Sequence, residues 1–155
     1  MLTILVKTVD DSPAHHTYLA QLWKETSGGA EDVYFDFSGC RFLGQNAVAF
    51  LGGLARLVQS RGKRVWFAWH TMTEAVATDL MESGFMKAFG AALDGWRGDT
   101  IPYREDATPS AHEFAAHLTL HWLGRGWINV STALRDAIVG RVSEAYSNVF
   151  EHARS

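Results

Sequence analysis

The stretch from residue 33 to residue 70 constrains the fold more than any other part of the sequence. Residues 33–37 and 65–69 are short runs of β-branched and aromatic residues, typical of strands buried on both faces. Between them, residues 45–59 carry apolar side chains at three- and four-residue steps, which predicts a helix, and Gly62 supplies the glycine that commonly ends one. A strand, helix and strand joined so closely predict a parallel β-α-β unit.

The rest of the chain extends this pattern. Apolar periodicity predicts a strand at residues 2–7 and helices at residues 15–26, 71–83, 112–123 and 131–153. Residues 100–104 are predicted to form an edge strand, because they contain a proline, which sheets tolerate at their edges. We therefore predict an α/β fold: a small, mainly parallel or mixed sheet covered by helices, at residues 1–106, followed by a helical extension at residues 107–155.

Composition limits the functions that this chain can have. A formal charge of −3 with interspersed acids and bases argues against a nucleic-acid surface or a basic membrane patch. The single cysteine fits a reducing compartment, and the first residues turn polar too early for a signal peptide or a membrane helix. We expect a cytoplasmic protein with neither nucleic acid nor membrane as a partner.

The stretch V-Y-F-D-F-S-G-C-R-F-L-G-Q-N-A-V-A-F-L, with R-G-K-R-V after it, resembles the core of the STAS domain, the anti-sigma-factor-antagonist family. In that family a strand ending in D-L-S leads through a loop to a D-S-S-G-like tetrad that opens a helix. The resemblance covers about residues 30–90. It implies a STAS-like fold and a protein-interaction module of bacterial partner switching, whose partner is an anti-sigma-like protein or a sensor kinase.

The chain departs from that family at the tetrad, which here consists of Gly44, Gln45, Asn46 and Ala47. The family's phosphoacceptor is a serine or threonine, whereas Gln and Asn offer only amides. The resemblance thus implies a partner-switching scaffold without its switch residue, with a partner-binding surface formed by Ser38 and the tetrad. The alternative is another small α/β domain in which Gln45 and Asn46 merely cap a helix.

A second resemblance lies near the end of the chain, in S-E-A-Y-S-N-V-F-E-H-A. It is similar to the N-box of the GHKL ATPases, E-x-x-x-N-x-x-x-H-A, which histidine kinases and anti-sigma kinases also carry. The resemblance implies that Asn148 contacts the Mg²⁺ that bridges the nucleotide phosphates and that Glu144 is the water-activating, catalytic carboxylate. His152 and Ala153 complete the pattern. The alternative is a solvated helix face, since four-residue steps place Glu144, Asn148 and His152 on one face in any helix.

The other motifs of an ATPase are absent from the sequence, including a D-x-G-x-G loop, a glycine-rich lid and a G-x-x-x-x-G-K-[ST] loop. We therefore expect no catalysis and no cofactor in this chain, and Mg-ATP only in a longer, complete protein. The main hypothesis is a non-catalytic regulatory module, the N-terminal part of an ATP-binding regulator.

Two other functions remain open at this stage. The chain could belong to a GHKL-type serine kinase or ATPase in which the last helix is the working N-box. It could instead be a stand-alone oligomerisation domain, a homodimer through its C-terminal helix. This last hypothesis depends on an apolar stripe on that helix, which comprises Leu134, Ile138, Val142, Ala145, Val149 and Ala153.

Two smaller clusters of polar side chains are candidate ligand sites. His117 and His121 have a spacing that can hold zinc, but we expect no metal, because such helical pairs are more often surface or packing residues. Strand ends in α/β folds gather ligand sites. This edge would carry Asp36, Ser38, Arg41, Gln45, Asn46 and His70, although a turn-capping role for Asp36 is the favoured interpretation.

Overall fold

The computed structural model of the chain describes residues 1–10, 12–29, 31–93, 96 and 98–152. It divides into two compact units, Met1–Arg97 and Gly98–Ser155. The first unit contains β1 (Leu2–Leu5), α1 (Pro13–Ser27), β2 (Val33–Asp36), α2 (Gln45–Ser60), β3 (Val65–Phe67), α3 (Glu74–Glu82) and α4 (Phe85–Ala88). The second contains α5 (Ala111–Leu118), a π-helical turn (Thr119–Leu123) and α6 (Thr132–His152).

The three strands form a parallel sheet in the order β1-β2-β3. Ile4 lies beside Phe35, which lies beside Phe67, so one row of buried side chains crosses all three strands. The predicted α/β class and the parallel β-α-β unit are confirmed. All three strands are shorter than predicted, and β3 ends at Phe67 because the chain then enters a 3₁₀ turn at Trp69–Thr71.

The connecting helices lie on one face of this sheet. Right-handed crossovers in a sheet of order 1-2-3 bring both helices to the same face, and α1 and α2 pack against each other. The predicted helix ends are also confirmed: Gly62 and Gly84 have φ values of +74° and +83°, which an L-residue rarely adopts. Thr73 caps α3 by accepting a hydrogen bond from the Val76 N–H.

Aromatic rings fill the core under the sheet. Phe67 is the central ring: it stacks on Phe35 at a centroid distance of 5.2 Å and meets Phe85 edge-on at 5.5 Å. Phe35 and Phe37 are completely buried. Because α4 contributes Phe85 to this cluster, the short helix lies on the same face as α1 and α2.

The predicted edge strand at residues 100–104 is wrong, since residues 101–106 have no regular secondary structure. Pro102 has no N–H to donate to a sheet. Arg104 instead binds Asp106 through two hydrogen bonds of 2.9 Å each, and its guanidinium also reaches Glu113 at 3.4 Å. These interactions hold the segment against the start of α5.

The predicted apolar stripe on α6 is wrong in part. Leu134 and Val149 are 51% and 65% exposed, and Ala145 is exposed too, whereas Ile138 and Val142 are half-buried as predicted. The other half-buried residues of the helix are Arg135, Val139, Ser143, Tyr146, Ser147 and Phe150, so the covered side is rotated from the predicted stripe. Stacking of Tyr146 on Phe114, at 4.1 Å and 8°, fixes this rotation. Ala153 lies outside the described residues.

Candidate functional site

The loop between β2 and α2 begins with a set of hydrogen bonds at the carboxyl end of the sheet. An Asp36 Oδ1 atom accepts a hydrogen bond from the Ser38 N–H at 2.8 Å. The Phe37 N–H donates to the hydroxyl of Thr71 at 2.8 Å, and that hydroxyl donates to the carbonyl of Ala68 at 2.7 Å. The ends of β2 and β3 are thereby connected, and Ser38 leaves the sheet in a defined direction.

The second half of this loop, which leads into α2, is also held by hydrogen bonds. The Arg41 N–H donates to the Thr8 hydroxyl at 2.8 Å. Val9 then pairs with the end of the loop: its N–H donates to the Phe42 carbonyl at 3.0 Å, and its carbonyl accepts from the Gly44 N–H at 2.8 Å. Hydrogen bonds thus hold the loop from Ser38 to Gly44 on both sides, while its residues Ser38, Gly39, Arg41 and Phe42 are exposed.

The five residues predicted to bind a partner do not contribute equally. Ser38, Gln45 and Asn46 are exposed, whereas Gly44 and Ala47 are buried. Gly44 is the N-cap of α2, and no side chain accepts a capping hydrogen bond there. Helix capping therefore does not explain Gln45 and Asn46, which project from the first turn into solvent.

The predicted cluster at the sheet edge forms in part. The pKa of Asp36 lies below its usual value, mainly because the Ser38 backbone N–H donates to the carboxylate, with smaller contributions from the Ser38 hydroxyl, Thr71 and nearby His70. Asp36, Ser38 and His70 thus lie close together around an ionised carboxylate. This arrangement is a turn cap, as the favoured interpretation of Asp36 predicted.

Sequence reasoning missed one residue of this surface. Phe42 is 49% exposed in the loop, although it is large and apolar. The sequence does contain a sign of this exposure: Phe42 lies between Gly39 and the start of α2 at Gln45, outside the apolar periodicity that marks the buried side of the helix. An exposed ring beside exposed amides is typical of a contact surface rather than of a catalytic centre.

The second candidate site lies on α6. Glu144, Asn148 and His152 are all exposed on the same helix, and Glu144 pairs with Arg141 at 3.1 Å. A shallow cleft of about 300 Å³ is lined by Pro109, Ala111, Ser147, Phe150 and Glu151, and Glu144, Asn148 and His152 are not part of its lining. An N-box and a solvated helix face both require exposure, so the position of these residues does not distinguish between the two interpretations.

The histidine pair and the cysteine offer little chemistry. The ring centroids of His117 and His121 are 5.0 Å apart, and burial lowers the pKa of His117. Among the described residues, no three His, Cys, Asp or Glu side chains form a group that could hold a metal ion. Cys40 is fully buried, and that burial raises the pKa of its thiol, which makes it a poor nucleophile.

The chain matches no protein-family model, no curated protein and no solved structure. Within the part of the chain that the structure describes, no helix has both the length and the apolar character that crossing a membrane requires.

Proposed function

We propose that the chain is a non-catalytic protein-interaction module of a bacterial partner-switching or signalling system, STAS-like in its first unit. The observation that carries this proposal is the loop from Ser38 to Gly44, in which Ser38, Gly39, Arg41 and Phe42 are exposed and hydrogen bonds fix both ends. A surface that is ordered before binding loses less conformational entropy when a partner docks. In a longer protein with the remaining ATPase motifs, this module would be the N-terminal part of an ATP-binding regulator.

The contact would be constitutive rather than switched by phosphorylation. Gln45 and Asn46 occupy the exposed first turn of α2, where the resembled family has its phosphoacceptor. Each amide both donates and accepts hydrogen bonds, so the pair suits a polar protein surface, but neither can accept a phosphoryl group. The partner expected from the resemblance is an anti-sigma-like protein or a sensor kinase.

Site-specific photocrosslinking in the native host tests this surface. We expect a photoreactive amino acid at position 45 to give a discrete protein adduct that mass spectrometry can identify. The same amino acid at position 60, where exposed Ser60 ends α2, is the control and should give none. Equal labelling from both positions, or no adduct from position 45, would reject the site.

The exposed polar ladder on α6 favours a second candidate, the N-box of a GHKL-type kinase or ATPase. If it applies, a polypeptide that also carries the nucleotide loop and lid should lose Mg-ATP binding when Asn148 is replaced by alanine. Asn46→Ala is a matched control, because Asn46 is also an exposed helical asparagine. Unchanged Mg-ATP affinity in the Asn148→Ala protein would reject this candidate.

Exposure of Leu134 and Val149 favours a third candidate, a homodimer through α6. Sedimentation should then show a mass that rises with protein concentration. Replacing both residues by glutamate should abolish that dependence, because the introduced charges would face each other across the interface. A mass that is monomeric at all concentrations argues against it.

A further inference from the structure

One face of the parallel sheet carries exposed side chains. Successive residues of a strand point to opposite faces, and the register aligns Thr3 with Tyr34 and Tyr34 with Trp66. The neighbouring row consists of Leu5 and Asp36. These five side chains lie opposite to the buried row of Ile4, Phe35 and Phe67, and hence opposite to α1, α2 and α4.

This exposure is unusual for a parallel sheet. Leu5 is 50% exposed and Trp66 is 37% exposed, although both lie within strands. Parallel sheets occur almost only with both faces covered, because helical crossovers and further helices bury them. Large exposed apolar side chains on such a face are therefore characteristic of a surface that receives another element.

The size of the face selects the occupant. Three strands of three to four residues each form a face roughly 14 Å wide and roughly 13 Å long. That footprint is on the order of 200 Å², whereas a stable dimer buries about 800 Å² on each partner. A second copy would thus be held too weakly through this face alone. A single α-helix, about 10 Å across and two to three turns long, matches it.

The charges of the face indicate the sequence of that helix. Arg64 is already engaged: it binds Asp32 at 2.8 and 3.1 Å, and its guanidinium lies 4.8 Å from the centre of the Trp66 ring. Asp36 is ionised, and its carboxylate makes no ion pair within the described residues. The unmatched charge on the face is therefore negative, beside the apolar surface of Leu5 and Trp66.

The face also continues into the loop described above. A Cβ atom placed on Gly39 would lie 3.6 Å from the Leu5 side chain, so Leu5 borders the loop from Ser38 to Gly44. A helix on the sheet would lie next to that loop and would enlarge the contact area.

We propose that the face formed by Thr3, Leu5, Tyr34, Asp36 and Trp66 docks one amphipathic helix of a partner protein, with an apolar stripe on Leu5 and Trp66 and a lysine or arginine on Asp36. This site is separate from Gln45 and Asn46 and does not depend on the function proposed for them.

A phage-displayed library of 18-residue peptides patterned as amphipathic helices provides a direct test with the full chain. We expect selected peptides to share an i, i+3, i+4, i+7 apolar stripe with a basic residue on its border. Trp66→Ala should weaken their binding at least tenfold, and Asp36→Asn, which keeps the acceptor for the Ser38 N–H, should weaken it less. Trp23→Ala is the matched control, since Trp23 is a similarly exposed tryptophan on α1, and should change nothing.

Selected peptides that bind the Trp66→Ala and Trp23→Ala proteins equally well would overturn the proposal, as would a library that yields no binders. Leu5→Ser gives a second readout if Trp66→Ala fails to fold.

Hydroxyl-radical footprinting of Trp66 in the chain alone tests whether a second copy or another part of the same chain covers the face. Protection that rises with protein concentration would assign the face to a second copy, and protection independent of concentration to the chain itself; either result overturns the proposal. Protection that requires the peptide supports it.

Discussion

The two compact units of this chain differ in what holds them together. The first unit encloses a dense apolar core in which Phe35, Phe37 and Ala55 have no exposed surface. In the second unit, Leu118 and Leu123 are the buried apolar residues among those described. The 21-residue helix α6 has no buried residue at all.

The second unit relies on a few specific contacts instead. Phe114 stacks on Tyr146, the Tyr146 hydroxyl accepts a hydrogen bond from the Ser110 N–H at 3.2 Å, and Arg104 binds Asp106. Burial over a continuous core stabilises a unit cooperatively, whereas separate contacts of this kind contribute about 1 kcal/mol each. We therefore expect the first unit to resist local opening far better than the second.

Core truncations should give the largest difference between the units. Phe35→Ala should lower the free energy of unfolding of the first unit by about 3–5 kcal/mol, because it leaves a cavity among fixed aromatic rings. Leu123→Ala should cost about 2 kcal/mol, since its half-exposed surroundings can collapse around the smaller side chain. Denaturant unfolding combined with hydrogen exchange measures both losses. Equal losses would show that the second unit has a core as rigid as the first.

A pair of tyrosine variants compares hydrogen bonds at similar places. The Tyr18 hydroxyl donates to the Leu5 carbonyl and accepts from the Lys7 N–H, both at 3.0 Å, and so closes the edge of β1. Tyr18→Phe should cost about 1–2 kcal/mol and Tyr146→Phe about 1 kcal/mol or less. Exchange rates of the Lys7 and Ser110 amides report each loss directly. A larger effect at Tyr146 would reverse the ranking of the two units.

Two exposed glycines inside helices should give small gains. A Cβ atom added to Gly53 in α2 or Gly140 in α6 would meet no atom within 4 Å. Alanine at either position should stabilise its helix by about 0.5–1 kcal/mol, because it restricts the unfolded chain. Gly62→Ala, at φ +74°, is the control and should destabilise. A loss of stability in Gly53→Ala would contradict this prediction, because it would show that the added methyl group meets other atoms and not solvent.

Mild acid should have the smallest effect, which we expect in α5 of the second unit. Burial lowers the pKa of His117 below 6.5, and neighbouring His121 and Arg104 lower it further, while Asp106 opposes them. The folded state therefore favours the neutral ring. The contribution of the neutral His117 ring to the stability of the folded state is complete above pH 6.5. It is lost as the pH falls from 6.5 towards the folded-state pKa of His117.

Hydrogen exchange in α5 at pH 7.5 and pH 5, corrected for intrinsic rates, should reveal this loss, and His117→Gln should remove it. Strand β2 of the first unit is the internal control. The carboxyl groups of that unit with lowered pKa values, which include Asp10 at about 2, titrate below pH 3.8 and therefore outside the range from pH 7.5 to pH 5. Equal changes in β2 would mean that His117 is not the responsible group.

Elements with a strong local signal could be predicted from the sequence. The apolar period of α2, the glycines that end α2 and α3, and the Ser131 hydroxyl that accepts from the Leu134 N–H at the start of α6 all depend on residues near one another in the chain. The predicted site residues are also exposed, Ser38 in the loop after β2 and Gln45 and Asn46 at the start of α2, as a surface role requires. Their binding role stays a prediction.

Features that depend on distant residues could not be predicted. Residues 100–104 resemble a strand, yet Arg104 binds Asp106 and Glu113 and no strand pairs with the segment. The rotation of α6 depends on one ring, Tyr146, meeting Phe114 across 32 positions of sequence (146 − 114). Periodicity alone could not show that the side of α6 with Tyr146 packs inward and the side with Leu134 and Val149 faces solvent.

The sequence by itself determined that the first unit is a parallel β-α-β arrangement and that residues 44–47 contain no serine or threonine, because both follow from local residue order. Tertiary structure decided which surfaces remain open. The uncovered face with Leu5 and Trp66 exists because α1, α2 and α4 all pack on the opposite side of the sheet. A strand residue buried on one face and one exposed on the other can have the same local sequence pattern, so the packing of distant helices determines the difference.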